Sequence, residues 1–432
     1  MKKKKSKLPL ILILAAVLVI ILGVYYFISP QKGTVTQITN SEALDTTFDK
    51  QAAIQDLQYI TKQVKDKHVT TSNELTVLVQ QQYDKEVENL PDNPTTLDIW
   101  RAGSRIVAPL HDSYTRLSYV GGVDTELIDG FIKNDTGLFY IDHQGKAYHV
   151  TKLGGITPDE LYNNFIKAFS FDNSNYALNC FHSYLKKPVM LTFLGAKVSD
   201  TSVDIETEEN GKVDTKTLTF SAPAPKQEVE PFSYSIDEDK SLGILTINIC
   251  SDSDEYKNTL KEFFTKVKDS NIKHVALDLR DNPGGNTDVI GEFMSYLNID
   301  KYKQYNIQAR YLSAVINMNS SYVSNNKNKN LAYSGDLYVL TATKTYDAAV
   351  KFAVTLRDNN LCKVIGMQPG GKPSTFGDML QFQLPNSKLL FTTTYKFYDR
   401  PDITKSGDET LVPDTLINSD KALDSLYDQI KK

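Results

Sequence analysis

Three places in the sequence put chemically useful residues directly after an apolar run that reads as a buried strand. The first is Arg280-Asp281-Asn282-Pro283-Gly284-Gly285-Asn286, after the run 275–279. Two glycines at a strand end let backbone amides turn outward and stabilise an anion, although a Pro-Gly-Gly stretch alone is also an ordinary turn. In the second, the run 339–343 leads through Lys344-Thr345-Tyr346 to Asp347-Ala348-Ala349. Position 347 is predicted to stand at a helix start, where the helix dipole and the Ala348 amide favour a nucleophile; an aspartate there is equally an N-cap. The third, Gly366-Met367-Gln368-Pro369-Gly370-Gly371-Lys372, ends on a lysine. Such a lysine becomes a general base if burial lowers its pKa, whereas most lysines are merely solvated.

The elements that must position these loops alternate between strand and helix. Residues 242–249, 275–279, 337–340 and 364–365 read as strands, and 256–268, 291–297 and 348–356 as helices. That alternation predicts an α/β core over 231–420, followed by a C-terminal helix at 421–432. Apolar residues recurring at three and four predict helices within 45–64, 73–87 and 95–107, so that 45–127 forms an N-terminal helical unit. Over 128–230 the texture is β-rich, with short strands predicted at 138–141, 147–150, 189–193 and 216–220 and a helix start at Thr157-Pro158. The expected fold is a mixed α/β, multi-domain chain.

With 432 residues, 41% of them hydrophobic, 19 Phe and 24 Tyr, the chain has ample material for a core and is no disordered tail. Cys180, Cys250 and Cys362 are too few and too far apart for a disulfide scaffold or a CxxC site. The six histidines are scattered and no phosphate loop occurs, so no metal or other cofactor is expected. Residues 1–7 form a tip carrying Lys2, Lys3, Lys4, Lys5 and Lys7, followed by an uncharged apolar run over 8–28. As a helix that run reaches about 32 Å, enough to span a bilayer. It ends in Tyr25-Tyr26-Phe27 with no Ala-x-Ala cleavage site, and so reads as an uncleaved, single-pass signal anchor with a cytoplasmic N-terminus, a linker at 29–44 and the bulk extracytoplasmic. Beyond the tip, 43 basic residues face 53 acidic ones, a net charge of -10. That balance disfavours nucleic acid and leaves a polypeptide or a small molecule as the partner.

Taken together, the three loops resemble the C-terminal processing peptidases, also called tail-specific or tricorn-type serine proteases. Asp278-Leu279-Arg280-Asp281-Asn282-Pro283-Gly284-Gly285 is similar to that family's Asp-Leu-Arg-x-Asn-x-Gly-Gly, and Leu110-His111-Asp112-Ser113-Tyr114-Thr115 to its Leu-x-Asp-x-His-Thr. Residues 339–352 resemble its nucleophile segment, 366–372 its glycine-lysine segment, and Val412-Pro413-Asp414 its closing motif. The resemblance implies a ClpP/crotonase-like core, a PDZ-like module at 128–230, peptide-bond hydrolysis near polypeptide C-termini, and an oxyanion site at Gly284 or Gly285 with Ala348.

The departures fall on the chemistry. Asp347 stands where the family nucleophile is serine, Tyr114 where one branch has its histidine, and Val350 where the other has a glutamate; Lys372 is kept. A carboxylate attacking an amide gives a mixed anhydride and expels an amine poorly, and losing the nucleophile of a serine protease costs on the order of 10⁶ in turnover, subtilisin being the measured case. Asp347 is further expected to pair with Lys372 and keep it protonated. Thr345 and Ser374 are the candidate replacement hydroxyls, and Asp408 or Glu409 the candidate third acid. Three readings follow: a catalytically degenerate member that retains polypeptide binding, an active peptidase with a relocated nucleophile, and a carrier of small hydrophobic ligands on the same scaffold.

Overall fold

The structure, a computed structural model, describes residues 33–71, 74–134, 136–225, 228–318 and 322–431. The expected anchor over 8–28 lies outside the described residues; among those described, no helix is long and apolar enough to cross a membrane.

Three helices come first: α1 (Lys50–Lys67), α2 (Val77–Asn89) and α3 (Thr96–Val107). Each begins where a side chain takes an amide that the helix itself leaves unpaired, Asp49, Thr76 and Thr95, the last in a reciprocal capping box with Asp98. Such caps contribute about 1 kcal/mol each. After β1 (Arg116–Ser118) the chain enters the β-rich module: β2 (Glu126–Leu127), β3 (Gly130–Asn134), β4 (Gly137–Ile141), β5 (Ala147–Leu153), helices α4 (Pro158–Ala168), α5 (Ser174–Tyr184) and α6 (Pro188–Leu194), then β6 (Ser202–Glu209) and β7 (Lys212–Ser221). Its six strands form an antiparallel sheet in the order β2-β7-β6-β5-β4-β3. One expected strand, 189–193, is instead α6. Pro188 at its first turn and Gly195 in the left-handed region (φ 102°) after its last are start and stop signals, and they outweigh the strand preference of the Val-Met-Leu-Thr-Phe run.

The remaining elements build the α/β core: β8 (Phe232–Asp237), β9 (Leu242–Ile247), α7 (Asp254–Asp269), β10 (His274–Asp278), α8 (Asp288–Met294), β11 (Lys301–Lys303), β12 (Asn306–Tyr311), β13 (Ala314–Met318), β14 (Tyr322–Ser324), β15 (Asp336–Thr341), α9 (Ala348–Asp358), β16 (Lys363–Gly366), β17 (Thr375–Gln383), β18 (Leu390–Asp399), β19 (Thr415–Leu416) and α10 (Ala422–Ile430). The central sheet runs β19-β16-β15-β10-β9-β8, parallel except at β8. β10 is buried along nearly its whole length, as a parallel strand covered on both faces must be.

Two features tie the units together. Leu380, Phe382, Leu389 and Phe391 of the β17–β18 region share one apolar core with Leu57, Ile60 and Ile106 of the N-terminal helices and with Phe165, Phe181 and Leu191 of the β-rich module. A second core lies under α7, α8 and α9. α9 is apolar on all sides, the pattern of a helix inside a core, and Lys351 is the one charged side chain in its buried stretch.

Candidate active site

The three loops, two of them glycine-bearing, leave the carboxyl ends of the adjacent parallel strands β10, β15 and β16 and are bonded to one another. Thr345 Oγ1 donates to the Leu279 carbonyl (2.7 Å), the Tyr346 amide to the Asn282 carbonyl (3.0 Å), and the Gly370 amide to the Thr345 carbonyl (3.0 Å). Gly284 lies on Asp347: a Cβ added there would come within 2.6 Å of the Asp347 Cβ. A Cβ on Gly285 would overlap the Cys250 carbonyl oxygen, and both glycines have positive φ, 106° and 130°. The motif residues around them hold the loops in shape. Arg280 grips Asp278 with two nitrogens and reaches the Ser419 carbonyl, and Asp414 takes the Val364 amide at the start of β16.

Asp347 is at the N-cap position of α9, yet its side chain makes no capping bond and its backbone is strained (φ 46°, ψ -117°). The carboxylate turns along the helix to Lys351 one turn on, with Nζ to Oδ1 at 3.2 Å; the lysine side chain is 6% exposed and the aspartate 27%. The Lys351 ammonium also lies 4.2 Å from the centre of the Tyr398 ring. This differs from the expected pairing with Lys372. Lys372 Nζ bonds instead to Glu409 (2.7 Å), and Asp408 is taken by Arg400 (2.9 Å). A lysine is rarely buried unless paired, and four positions along a helix is the spacing at which two side chains meet, so Lys351 claims the carboxylate first.

Of the expected oxyanion amides, Gly284 donates to Asn282 Oδ1 (2.8 Å) and is occupied. Those of Gly285 and Ala348 have no hydrogen-bond partner among the described residues. Tyr114 lies near Asp347 without a formed hydrogen bond, and its buried hydroxyl has no partner among the described residues. Burial pushes that phenol well above its ordinary pKa, and the nearby Tyr346, Asp347 and Asp172 push it further. The candidate replacement hydroxyls are both committed elsewhere: Thr345 is wholly buried between the Leu279 carbonyl and the Ala342 amide, and Ser374 donates to Asp399 and accepts from the Arg400 amide.

Three participants, His68, Asp172 and Tyr176, have no local signal in the sequence, and they meet the motif segment 110–115 and the loops around Asp347. Asp112, inside the Leu-x-Asp-x-His-Thr-like segment, is buried against His68 of the N-terminal unit (Oδ2 to Nε2 3.2 Å) and the hydroxyls of Thr115 and Thr394. Next to it, Ser113 Oγ bonds to Asp172 Oδ1 (3.0 Å) and to the Tyr346 hydroxyl (2.8 Å). The Lys372 amide donates to the other oxygen of Asp172 (3.2 Å), and Tyr176 stacks on Tyr346 at 4.2 Å between ring centres. The module therefore grips the loops on both sides of Asp347.

Burial raises the Asp172 carboxyl to about 6 from an ordinary 3.8, offset in part by the Lys372 amide and Ser113. The folded state thus holds this proton more tightly than the unfolded chain. Its contribution to stability is greatest below about pH 4 and is lost as pH rises through about 6, a change of about 3 kcal/mol. Asp172→Asn is expected to flatten the slope of melting temperature between pH 4 and 7 relative to the unmodified protein. An unchanged slope would show that Asp172 does not titrate there.

Among the described residues, no group of three or more His, Cys, Asp or Glu side chains is placed to hold a metal ion.

A parallel sheet whose strand-end loops bring the unpaired amides of Gly285 and Ala348 to the strained start of α9 is the geometry against which known proteins are compared. Residues 241–416 match the model of peptidase family S41, and the resemblance to the C-terminal processing peptidases holds. No curated protein matches the sequence. Among solved structures, mature CPAF complexed with lactacystin is similar at a TM-score of 0.63 and 13% identity, over 89% of this chain and 98% of that one. A photosystem II D1 C-terminal processing protease aligns at 0.51 and 14%, over 88% and 97%. A peptidase from Parabacteroides merdae aligns at 0.51 and 14%, also over 88% and 97%. At such identities the likeness is one of fold.

Proposed function

We propose that this chain is a membrane-anchored, extracytoplasmic member of the tail-specific proteases that has lost its serine chemistry and binds polypeptides, with the β-rich module in the place of the relatives' PDZ-like domain. The observation that carries the reading is the Asp347–Lys351 pair standing where active relatives have a serine. A carboxylate held by an ammonium has no proton to give up and no leaving-group advantage against an amide. Lys372, engaged by Glu409, is not aimed at it as a base. The free amides of Gly285 and Ala348 can still donate to a peptide carbonyl. The test is incubation of the full chain with unfolded polypeptides. Binding without cleavage is expected, whereas turnover abolished by Lys372→Ala would overturn the inactive reading.

One observation favours a second reading, an active peptidase with a relocated nucleophile. Ser113 donates towards Asp172, whose carboxyl is raised to about 6 and so stands near the range of a general base. A serine-directed phosphonate followed by peptide mapping decides between the two: an adduct on Ser113 supports the second reading, and no adduct removes it. A carrier of small hydrophobic ligands gains little from the groove of about 1130 Å³ between the helical unit and the module, whose lining includes Lys85, Glu86, Arg101, Arg105 and Lys167.

A further inference from the structure

Sheet edges expose unpaired backbone groups and invite pairing with other chains, so proteins cover, charge or shorten them. Most edges here are treated in that way. Along β17, the Val35 amide donates to the Gln381 carbonyl (2.9 Å) and Thr39 bonds the Gln383 side chain. β3 carries Lys133, whose amide is capped by His182 Nε2 from α5 (2.8 Å). β8 ends in Asp237, and β1, β2, β11, β14 and β19 are two or three residues long. β13 has none of these devices. It is the terminal strand of its sheet, Ala314, Ile316, Asn317 and Met318 are exposed, and no charged residue occurs between Arg310 and Lys327.

We propose that Ala314–Met318 pairs with the same strand of a second copy of this chain, antiparallel, about a two-fold axis through Ile316. Three observations select this occupant. Beyond its lysine tip the chain carries a net charge of -10 and repels its own copies, and an edge without charge is where two copies meet at least electrostatic cost. A register centred on Ile316 sets Ala314 against Met318 on both sides of the axis, small against large, with Ile316 facing its counterpart. Because side chains alternate across a strand, these three exposed residues share one face and form a continuous apolar strip across the axis. The contact is isologous and closes on itself, as soluble homodimers do. It also leads to the site: Met318 pairs with Ile307 and Ile307 with Tyr398, the ring lying against Lys351. Pairing would make one sheet continuous between two Asp347–Lys351 pairs. The inference stands whether or not the site retains peptide binding.

The experiment uses the full chain in membranes, with single cysteines added at successive positions and a mild oxidant. Ile316→Cys is expected to give a disulfide-linked dimer, since directly opposed residues have Cα atoms about 4.5–5.5 Å apart, within disulfide reach. Val315→Cys, which would face Asn317, is expected to stay at the background set by the native cysteines. Ile316→Lys is expected to turn a dimeric species in sedimentation into a monomer without changing the melting temperature, its side chain being exposed. Equal cross-linking at 315 and 316, a dimer that survives Ile316→Lys, a monomer at every concentration, or Ile316→Cys joined to a different polypeptide would each overturn the proposal.

Discussion

Asp347→Ser is expected to lower the stability of the protein and to return no peptidase activity. The serine would restore a family nucleophile, but it would also leave the Lys351 ammonium, 6% exposed in an otherwise apolar helix, without its carboxylate. Removing one partner of a fully buried pair costs about 3–5 kcal/mol. Asp347 is 27% exposed and its charge is partly screened, so about 1–3 kcal/mol is the expected loss here. The converse change should hurt less: Lys351→Met leaves the more exposed partner, a carboxylate that water can reach. Asp347→Ser combined with Lys351→Met is expected to recover most of the lost stability, because neither charge remains to be buried alone. Activity stays absent because Tyr114 and Val350 occupy the positions of the missing partners and Lys372 is held by Glu409. Thermal unfolding of the four proteins and a peptide-hydrolysis assay test both halves. A double variant no more stable than Asp347→Ser would show the ion pair to be incidental, and strong hydrolysis by Asp347→Ser alone would show that Lys372 stands ready as a base.

What the sequence displayed and what it concealed divides along the range of the interactions. The loops after β10, β15 and β16 were legible because each is written locally, as an apolar run followed by glycines or a helix start, and their convergence follows from adjacent parallel strands. The Asp347–Lys351 pair is legible in principle from its spacing of four on α9, but Lys372, after a glycine pair, is the more conspicuous lysine in the sequence. Burial decided the matter, and burial of α9 on all sides depends on both neighbouring layers. The strand expected at 189–193 rested on residue preference, where Pro188 and Gly195 held the stronger information. Asp172, Tyr176 and His68 carried no signal at all. Each meets the site through packing between segments far apart in the chain, and neither periodicity nor spacing encodes which exposed-looking acid or aromatic will be brought against Tyr346.

His68→Ala is expected to cost more than any single change at Asp347, about 3–5 kcal/mol, because here both partners are wholly buried. Asp112 accepts from His68 Nε2, from the hydroxyls of Thr115 and Thr394 and from the Tyr114 amide. Burial alone would raise its carboxyl, but the bond and charge of His68 with the two hydroxyls hold it below the ordinary range. Such a group contributes stability that is present above the ordinary carboxylate pKa and is lost as pH falls through the depressed folded value. Alanine removes the partner and leaves the carboxylate with hydroxyls and one amide, while Thr70 Oγ1 loses the other ring nitrogen (2.7 Å) and Phe376 a ring contact at 5.0 Å. His68→Gln keeps one neutral donor and is expected to lose about 1–3 kcal/mol. Denaturant titration at pH 7 measures both, and a His68→Ala loss below about 1 kcal/mol would mean that desolvation of the pair cancels its attraction. The consequence reaches the site through the chain itself: Asp112 precedes Ser113 and Tyr114, so releasing it frees the two side chains that pack against Tyr346. Limited proteolysis between residues 111 and 116 should therefore accelerate in His68→Ala and stay slow in Asp347→Ser, separating the residue that holds the segment in place from the residue it faces.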